Sequence, residues 1–415
     1  MSSVDNYFTD DDSSSNYFSA IDEGDEDEQE ISSHNVRIKI PNRVVRAPQR
    51  EVEALVGGAL ITTAVTLADH IVMRKSKLIP KSVYLPRCNY TMHYLEREAL
   101  LDDGIDNKNQ PTLLFHHGIS QRSSDFAGVI ADWNIPPHIR ILVPEQMGHG
   151  EDIARAREDP DSYVQPTHET MLETTSEFLD VVEAGSNCNA FGISLGGAVA
   201  YYLQNKRPDK IKRAVLVSPA IVTCVDKNLI QGILDGTNNF ICVQSRKDVK
   251  LLLRDLSTGC DNDERKKKDP VPKFFLEALY RRIKRSAPEG HFKALMINLL
   301  KHTGLTPSRT LVHLDGTTFV TKDASSSVGE EQAVNPFAAL TDVDRDSYRL
   351  VIWPEKDQII SYEQGKSYFE DSVNRNTQFE SIPDCGHVFH ADGTGIMKLI
   401  RSRAREYLLN FGSLI

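Results

Sequence analysis

Short runs rich in apolar residues alternate with helix-like stretches along most of the chain from Val83 onward. Such runs are typical of strands buried on both faces of a sheet, because a half-buried strand would alternate apolar and polar positions. We predict strands at 112–116, 141–143, 189–191, 214–217, 348–353 and 378–382, and helices at 167–184 and 394–411. Alternating strands and helices favour an α/β fold, with a mostly parallel central sheet and helices on both faces.

The alternation stops after Pro219. Residues 246–256 and 272–285 then show amphipathic helical spacing, whereas 306–339 is rich in Ser, Gly and Thr and only weakly periodic. Helices inserted into an α/β fold lie over the carboxyl edge of the sheet, where binding sites form. The predicted division is a core over 81–219 and 346–415, interrupted by a helical cap over 220–345 with a low-complexity loop at 306–339.

The N-terminal region differs from the rest in charge. Residues 1–30 hold eleven acidic residues and no Lys or Arg; removing these from the 59 acidic residues leaves 48, equal to the 48 basic ones. So polar a segment cannot bury enough apolar surface to fold alone, and we expect residues 1–50 to be a disordered acidic tail. The remainder is close to neutral, which argues against a nucleic-acid partner.

An apolar segment follows at 51–80. Residues 54–68 carry no charge, and Ile71-Val72-Met73 extend the apolar character to residue 73. A bilayer span needs about 20 mainly apolar residues, and this run is shorter and contains Gly and Thr. Two interpretations stay open: a helix at 54–73 that anchors the chain at a membrane, and a helix packed on the protein.

Six cysteines are scattered without metal-site or redox spacing, and the chain shows no metal or cofactor motif. Reduced, buried thiols fit an intracellular protein. The acidic N-terminus lacks the positive charge of a secretory or organelle presequence. We therefore expect an intracellular chain without cofactor or metal, not secreted by a signal peptide, and membrane-associated if 54–73 is an anchor.

The strongest chemical signal is Gly192-Ile193-Ser194-Leu195-Gly196, between a predicted strand and the helix-forming run 198–203. A Gly-x-Ser-x-Gly turn in this context is typical of the nucleophile elbow, in which the serine hydroxyl stands above the sheet edge. The strained serine backbone leaves no room for side chains two residues away, a requirement that Gly192 and Gly196 meet. The alternative is a glycine-rich turn whose serine only caps the helix.

A nucleophilic serine needs a base to accept its proton and an acid to orient that base. Asp357 follows the predicted strand 348–353, and His387 follows the next predicted strand. The chain order Ser194, Asp357, His387 is the one that the elbow arrangement uses. The alternative acids and base are Glu355, Asp226 and His390.

The oxyanion of an acyl-transfer intermediate needs N–H donors. The candidates are the backbone N–H groups of Leu195, directly after the nucleophile, and of Ile119, directly after His117-Gly118. Because both are main-chain groups, this assignment rests on position. The other polar residues of these loops are expected to hold turns by hydrogen bonds: His116, His117, His149 and Glu145.

With these elements in order, the chain resembles the α/β-hydrolase superfamily over residues 90–410. The resemblance rests on the elbow, His117-Gly118, Pro144-Glu145-Gln146-Met147-Gly148-His149-Gly150, Asp357 and Cys385-Gly386-His387. Within the superfamily, the cap stretches at 244–256 and 272–277 are similar to those of the monoacylglycerol-lipase-like hydrolases that carry an N-terminal membrane segment. The chain departs from that group at Pro354, where glycine is usual, at Glu145, where aspartate is common, and in its longer 306–339 segment.

The resemblance implies a serine hydrolase that cleaves carboxylic esters through an acyl-enzyme, with small lipid-like esters of the monoacylglycerol type as expected substrates. An apolar wall for such a substrate is expected from Phe274, Phe275, Leu251, Leu252 and Ile230. A thioesterase, an aminopeptidase and a hydrolase of carbon–carbon bonds would share the same three residues. An alternative of a different class is a catalytically silent scaffold whose acidic tail binds partners.

Overall fold

A computed structural model describes the chain in separate stretches: residues 28–33, 36–41, 71–100, 110–158, 166–221, 224, 231–232, 243, 245–257, 273–286, 290–300, 310–312, 318–320, 347–370, 376–383, 386–387 and 395–409. Its strands are β1 (Glu28–Ser33), β2 (Val36–Pro41), β3 (Ile79–Leu85), β4 (Tyr90–Arg97), β5 (Thr112–His116), β6 (Arg140–Pro144), β7 (Cys188–Ile193), β8 (Ile211–Val217), β9 (Thr310–Val312), β10 (Thr318–Val320), β11 (Tyr348–Pro354) and β12 (Thr377–Ile382).

The helices frame these strands. They are α1 (Ala127–Asp132), preceded by a 3-10 turn at Ser123–Phe126, then α2 (Glu151–Glu158), α3 (His168–Val181), α4 (Leu195–Lys206), α5 (Arg246–Ser257), α6 (Lys273–Ser286), α7 (His291–Leu300), α8 (Tyr362–Glu370) and α9 (Gly395–Leu409). Residues 71–76 are also helical.

The central sheet has eight strands in the order β12-β11-β8-β7-β5-β6-β4-β3. The six strands predicted from the sequence form its parallel part, and β4 and β3 add an antiparallel pair at one edge. Side chains alternate between two cores: Leu113 and Phe115 belong to one cluster and Leu114 to the other. The predicted α/β fold, with helices on both faces, is confirmed, and double-sided burial explains the continuous apolar runs.

Helices cover both faces of the sheet. Leu172 of α3 and Leu203 of α4 pack in one core cluster. Ile130 of α1 and Leu408 of α9 pack in the other. The helices predicted at 167–184 and 394–411 are therefore present, and they enclose the sheet as layers.

Two segments predicted to lack structure contain strands. In the region 1–50, β1 and β2 pair antiparallel with Ile31 opposite Ile38, and β9 pairs with β10 inside 306–339. The apolar/polar alternation of Val36-Arg37-Ile38-Lys39-Ile40 is typical of a strand and accounts for β2. The disordered tail and the low-complexity loop stay predictions. The rest of both regions lies outside the described residues.

The apolar run 54–68 also lies outside the described residues. Of its extension, Val72 and Met73 pack against a core cluster, whereas Ile71 is exposed. No helix within the described ranges has the length and apolar character needed to cross a membrane. Within the predicted helix 51–80, residues 71–76 are helical and pack on the core through Val72 and Met73, whereas residues 79 and 80 already belong to β3.

Among its described residues, the inserted region contains the helices α5, α6 and α7, and residues 231–232 are also helical. The helices predicted at 246–256 and 272–285 are present as α5 and α6, which pack together around Val249 and Leu276 in a separate cluster. Helix α7, which the sequence did not predict, packs elsewhere, on the junction between β7 and α4. The insertion thus reaches the carboxyl edge of the sheet through α7.

The β3–β4 hairpin, not predicted from the sequence, is anchored through its turn. Glu177 of α3, almost fully buried, accepts hydrogen bonds from the backbone N–H groups of Arg87, at 2.7 Å, and Cys88, at 2.8 Å. Burial opposes the charge, but these donors hold the pKa of Glu177 below its ordinary value. The buried carboxylate joins the sheet edge to the helical layer.

Replacing Glu177 by Ala should lower the free energy of unfolding by about 3 kcal/mol, because two N–H groups lose a charged acceptor in a buried site. The matched control is Glu173→Ala on the same helix, whose ion pair with Lys206 is half exposed and should contribute less than about 1 kcal/mol. Urea unfolding of both variants measures the difference. Equal losses would contradict the anchoring role.

Candidate active site

Ser194 stands at the end of β7, where the chain turns into α4. Its backbone adopts φ 54° and ψ −118°, a conformation that side chains disfavour. Hydrogen bonds hold it there: Ser194 N–H donates to Val217 O at 2.9 Å, and the N–H groups of Ala198 and Ala220 donate to Ser194 O. The strained turn is therefore held by hydrogen bonds to the first turn of α4 and to the end of β8 and the loop after it.

The glycines of the turn are required by crowding. A Cβ on Gly192 would lie 2.2 Å from Gly196 O, and a Cβ on Gly196 would lie 2.2 Å from His116 O. Both neighbours are backbone atoms, which cannot move aside as a flexible side chain could. The expectation that these positions cannot carry a side chain agrees with this geometry.

Three predicted site residues meet above this turn. His387 Nδ1 lies 2.7 Å from Asp357 Oδ2, and His387 Nε2 lies 3.2 Å from Ser194 Oγ. With Nδ1 donating its proton to the carboxylate, Nε2 is free to accept the hydroxyl proton of Ser194. All three side chains are at least nine-tenths buried. The arrangement can activate a serine hydroxyl.

The sheet brings these residues together although they are far apart in sequence. Ser194, Asp357 and His387 follow β7, β11 and β12, which are parallel, so their loops emerge at one edge. Asp357 Oδ1 also accepts the N–H groups of Ile359 and Ile360, both at 2.9 Å, which orients its carboxylate. The alternative acid Glu355 is exposed in the same loop, and the alternatives Asp226 and His390 lie outside the described residues.

The predicted oxyanion donors lie beside Ser194. A Cβ on Gly118 would approach Ser194 Cβ to 3.5 Å, so the loop after β5 borders the elbow. Leu195 begins α4, where an N–H group has no partner within the helix. Among the described residues, the N–H groups of Leu195 and Ile119 have no acceptor, whereas Gly118 N–H donates to Gln121 Oε1 at 2.7 Å.

Residues 111–394, more than half of the chain, match the sequence profile of the alpha/beta hydrolase fold family. The chain belongs to the α/β-hydrolase family. The expected superfamily is confirmed, and the monoacylglycerol-lipase-like subgroup stays a prediction. Among curated proteins, none matches the sequence significantly.

Solved structures share the fold of this hydrolase. A candidate lipase from Acinetobacter baumannii AYE is 17% identical, with a TM-score of 0.57 over 83% of this chain and 96% of that one. A bacterial membrane phospholipase A is 16% identical, with a TM-score of 0.54 over 84% and 92%. An esterase from Exiguobacterium antarcticum is 12% identical, with a TM-score of 0.51 over 80% and 99%. At these identities the likeness concerns the fold.

In this hydrolase the loop after β6 fastens the loop after β5. Gln146 N–H donates to His117 Nε2 at 3.1 Å, and its side-chain amide donates to His117 O. Glu145 Oε2 accepts Ser123 Oγ–H at 2.6 Å, and Glu145 Oε1 lies 3.2 Å from His117 Nε2. Burial opposes the charge of Glu145, but the neighbouring His117 and Ser123 lower its pKa to about 2. Structural roles for His117 and Glu145 are confirmed.

His116 departs from that expectation. Within the part of the chain that the structure describes, neither of its ring nitrogens has a hydrogen-bond partner, and the residue is completely buried. Burial lowers the pKa of His116 to about 3, so the ring is neutral. The buried ring of His116 therefore does not hold a turn by hydrogen bonds.

An apolar cluster includes Leu195, the residue directly after Ser194, and reaches into the inserted region. Its members are Ile153, Met171, Leu195, Val199, Phe292, Leu295 and Leu299, with Ile119 and Met147 packed against it. Three of these belong to α7, which the sequence gave no reason to place there. Of the apolar wall predicted instead, Leu251 is exposed and Leu252 packs between α5 and α6, while Ile230 and the side chains of Phe274 and Phe275 lie outside the described part.

No group of three His, Cys, Asp or Glu side chains in the described ranges is arranged to hold a metal ion.

The strained backbone of Ser194 should affect the stability of variants at this position. Ser194→Gly should be more stable than Ser194→Ala by about 1 kcal/mol, because glycine adopts φ 54° without strain, which outweighs its greater freedom in the unfolded chain. Denaturant unfolding of the two variants provides the comparison. An alanine variant as stable as the glycine variant would show that the backbone of residue 194 is not strained.

Proposed function

We propose that this protein is a serine hydrolase of carboxylic esters, with Ser194 as nucleophile, His387 as general base and Asp357 as the acid that orients it. The observation that carries the proposal is the position of His387, hydrogen-bonded to Asp357 at one ring nitrogen and to Ser194 at the other. A serine that merely caps α4 would not explain a buried imidazole and carboxylate converging on it.

The reaction follows from this geometry. His387 Nε2 accepts the proton of Ser194 as Oγ attacks the ester carbonyl, and Asp357 stabilises the imidazolium that forms. The N–H groups of Ile119 and Leu195 donate to the oxyanion of the tetrahedral intermediate. His387 then protonates the leaving alcohol, and a water molecule, activated by the same nitrogen, releases the acid from the acyl-enzyme.

Lipid-like esters of the monoacylglycerol type are the proposed substrates. The apolar cluster around Leu195 is the observation that favours a substrate with an aliphatic acyl chain. Phe292 and Leu295 extend this cluster from the elbow into the inserted region. In this proposal, residues 220–345 act as the cap over the site. In the same proposal, residues 54–70 of the apolar segment hold the enzyme near a membrane where such substrates reside, while Val72 and Met73 pack on the core.

Hydrolytic activity should depend on the carboxylate of Asp357 and not on that of Glu355 in the same loop. Ser194→Ala should abolish ester hydrolysis, and Asp357→Asn should lower kcat by about 10⁴-fold, because the imidazole loses the partner that fixes its tautomer. Glu355→Gln is the matched control, since this exposed carboxylate lies two residues away in the same loop. Steady-state hydrolysis of a monoacylglycerol, with circular dichroism to verify folding, measures the three effects.

Near-normal turnover in Asp357→Asn would remove Asp357 from the mechanism. Offering the wild-type enzyme a thioester and an aminoacyl substrate beside the monoacylglycerol tests the substrate class. A preference for either of the other two would retain the serine mechanism and reject the lipid-like ester.

The membrane role is tested by truncation at residue 70, because Val72 and Met73 pack on the core and must be retained. The full chain should sediment with membranes, and the chain lacking residues 1–70 should remain in the supernatant. A chain lacking only residues 1–50 is the control and should sediment like the full chain. Unchanged partition of the longer truncation would exclude 54–73 as the membrane element.

A further inference from the structure

His149, in the loop after β6, contacts the oxyanion loop directly. Its Nε2 accepts the backbone N–H of Ser120 at 3.2 Å. Ser120 follows Ile119, the predicted oxyanion donor, and has a φ of 62°, which is uncommon for a residue with a side chain. The hydrogen bond from His149 therefore holds a residue whose own backbone conformation is uncommon.

The ring of His149 is held in one state and one orientation. Nδ1 lies 3.2 Å from Met147 O and donates its proton there, which leaves Nε2 as the acceptor. The ring is 1% exposed, with the His117 ring centred 4.8 Å away and the Phe292 ring of α7 centred 5.4 Å away. Burial, and after it the nearby His117, lowers the pKa of His149 to about 3, so the imidazole is neutral at physiological pH.

The peptides on both sides of the Ile119 N–H are thereby fixed. The N–H of Gly118, one residue earlier, is bound by Gln121 Oε1, and the N–H of Ser120, one residue later, is bound by His149. The Ile119 N–H between them is the one that remains without an acceptor among the described residues. Preorganised donors contribute most when they need no reorganisation during the reaction.

We propose that His149 is a positioning residue for the oxyanion hole: by accepting the Ser120 N–H, it fixes the peptide that follows Ile119. The peptide that carries the Ile119 N–H is itself held at its carbonyl oxygen, Gly118 O, by His117 Nδ1 at 3.0 Å and by the N–H of Gln121. The proposal rests on the proposed ester hydrolysis, because it concerns a donor to that reaction's oxyanion. His149 itself touches no reacting atom. Its effect is therefore expected on the transition state and not on the binding of the ester.

The test compares His149→Gln with His149→Asn. Glutamine places an acceptor near the position of Nε2, whereas asparagine reaches only the position of Nδ1 and leaves the Ser120 N–H without a partner. We expect His149→Asn to lower kcat by roughly 10- to 100-fold with KM nearly unchanged, less than the loss of a whole oxyanion donor. We expect His149→Gln to recover most of the activity.

A trifluoromethyl ketone analogue of the ester provides the readout that a purely structural role would not move. It forms an oxyanion on Ser194, so its inhibition constant in His149→Asn should rise by about the same factor as kcat/KM falls. Thermal unfolding of each variant verifies folding, and His149→Ser replaces the asparagine variant if that one unfolds.

Equal activity in the asparagine and glutamine variants, or unchanged affinity for the ketone in His149→Asn, would overturn the proposal for His149 while leaving the hydrolase in place. A wild-type protein that neither hydrolyses the ester nor binds the ketone would instead overturn the proposed function, and the proposal for His149 with it.

Discussion

The close approach of backbone to backbone at the elbow is the constraint on which the site depends. Gly196 packs so tightly on His116 O that no side-chain carbon fits between them. This contact brings the end of β5 against the start of α4, and with it the Ile119 loop beside Ser194. The same contact leaves the serine in a strained turn, from which its hydroxyl projects above the sheet.

The parallel sheet extends this local constraint to distant parts of the chain. Because β7, β11 and β12 run in the same direction, the loops that carry Ser194, Asp357 and His387 end at one edge. The carboxylate of Asp357 is oriented in turn by two N–H groups of its own loop. The strand before each loop therefore determines where the polar side chain of that loop lies.

Much of this arrangement could be predicted from the sequence because its signals are local. Strands buried on both faces are continuous apolar runs, and the elbow needs glycine at positions 192 and 196. The hairpin of β3 and β4 gave a weaker signal, since its edge strands mix polar and apolar residues and are anchored by Glu177, some 90 positions away. Helix α7 was missed because nothing local indicates that Phe292 packs against His149.

The loops around Ile119 show why the remaining contacts of the site could not be predicted from the sequence. The His149 ring accepts the backbone N–H of Ser120, and the Gln146 side-chain amide donates to the backbone oxygen of His117, in each case 29 residues away. No residue type is required at positions 146 and 149 by local sequence alone. Contacts between loops thus depend on the sheet that positions them.

The most direct test of the account is to locate the covalent adduct of a fluorophosphonate by mass spectrometry of the digested protein. The account predicts a single modified residue, Ser194, in the wild type, and strongly reduced labelling in Asp357→Asn. An adduct on another serine, or none on a correctly folded chain, would contradict the convergence of Ser194, His387 and Asp357 as a working catalytic site.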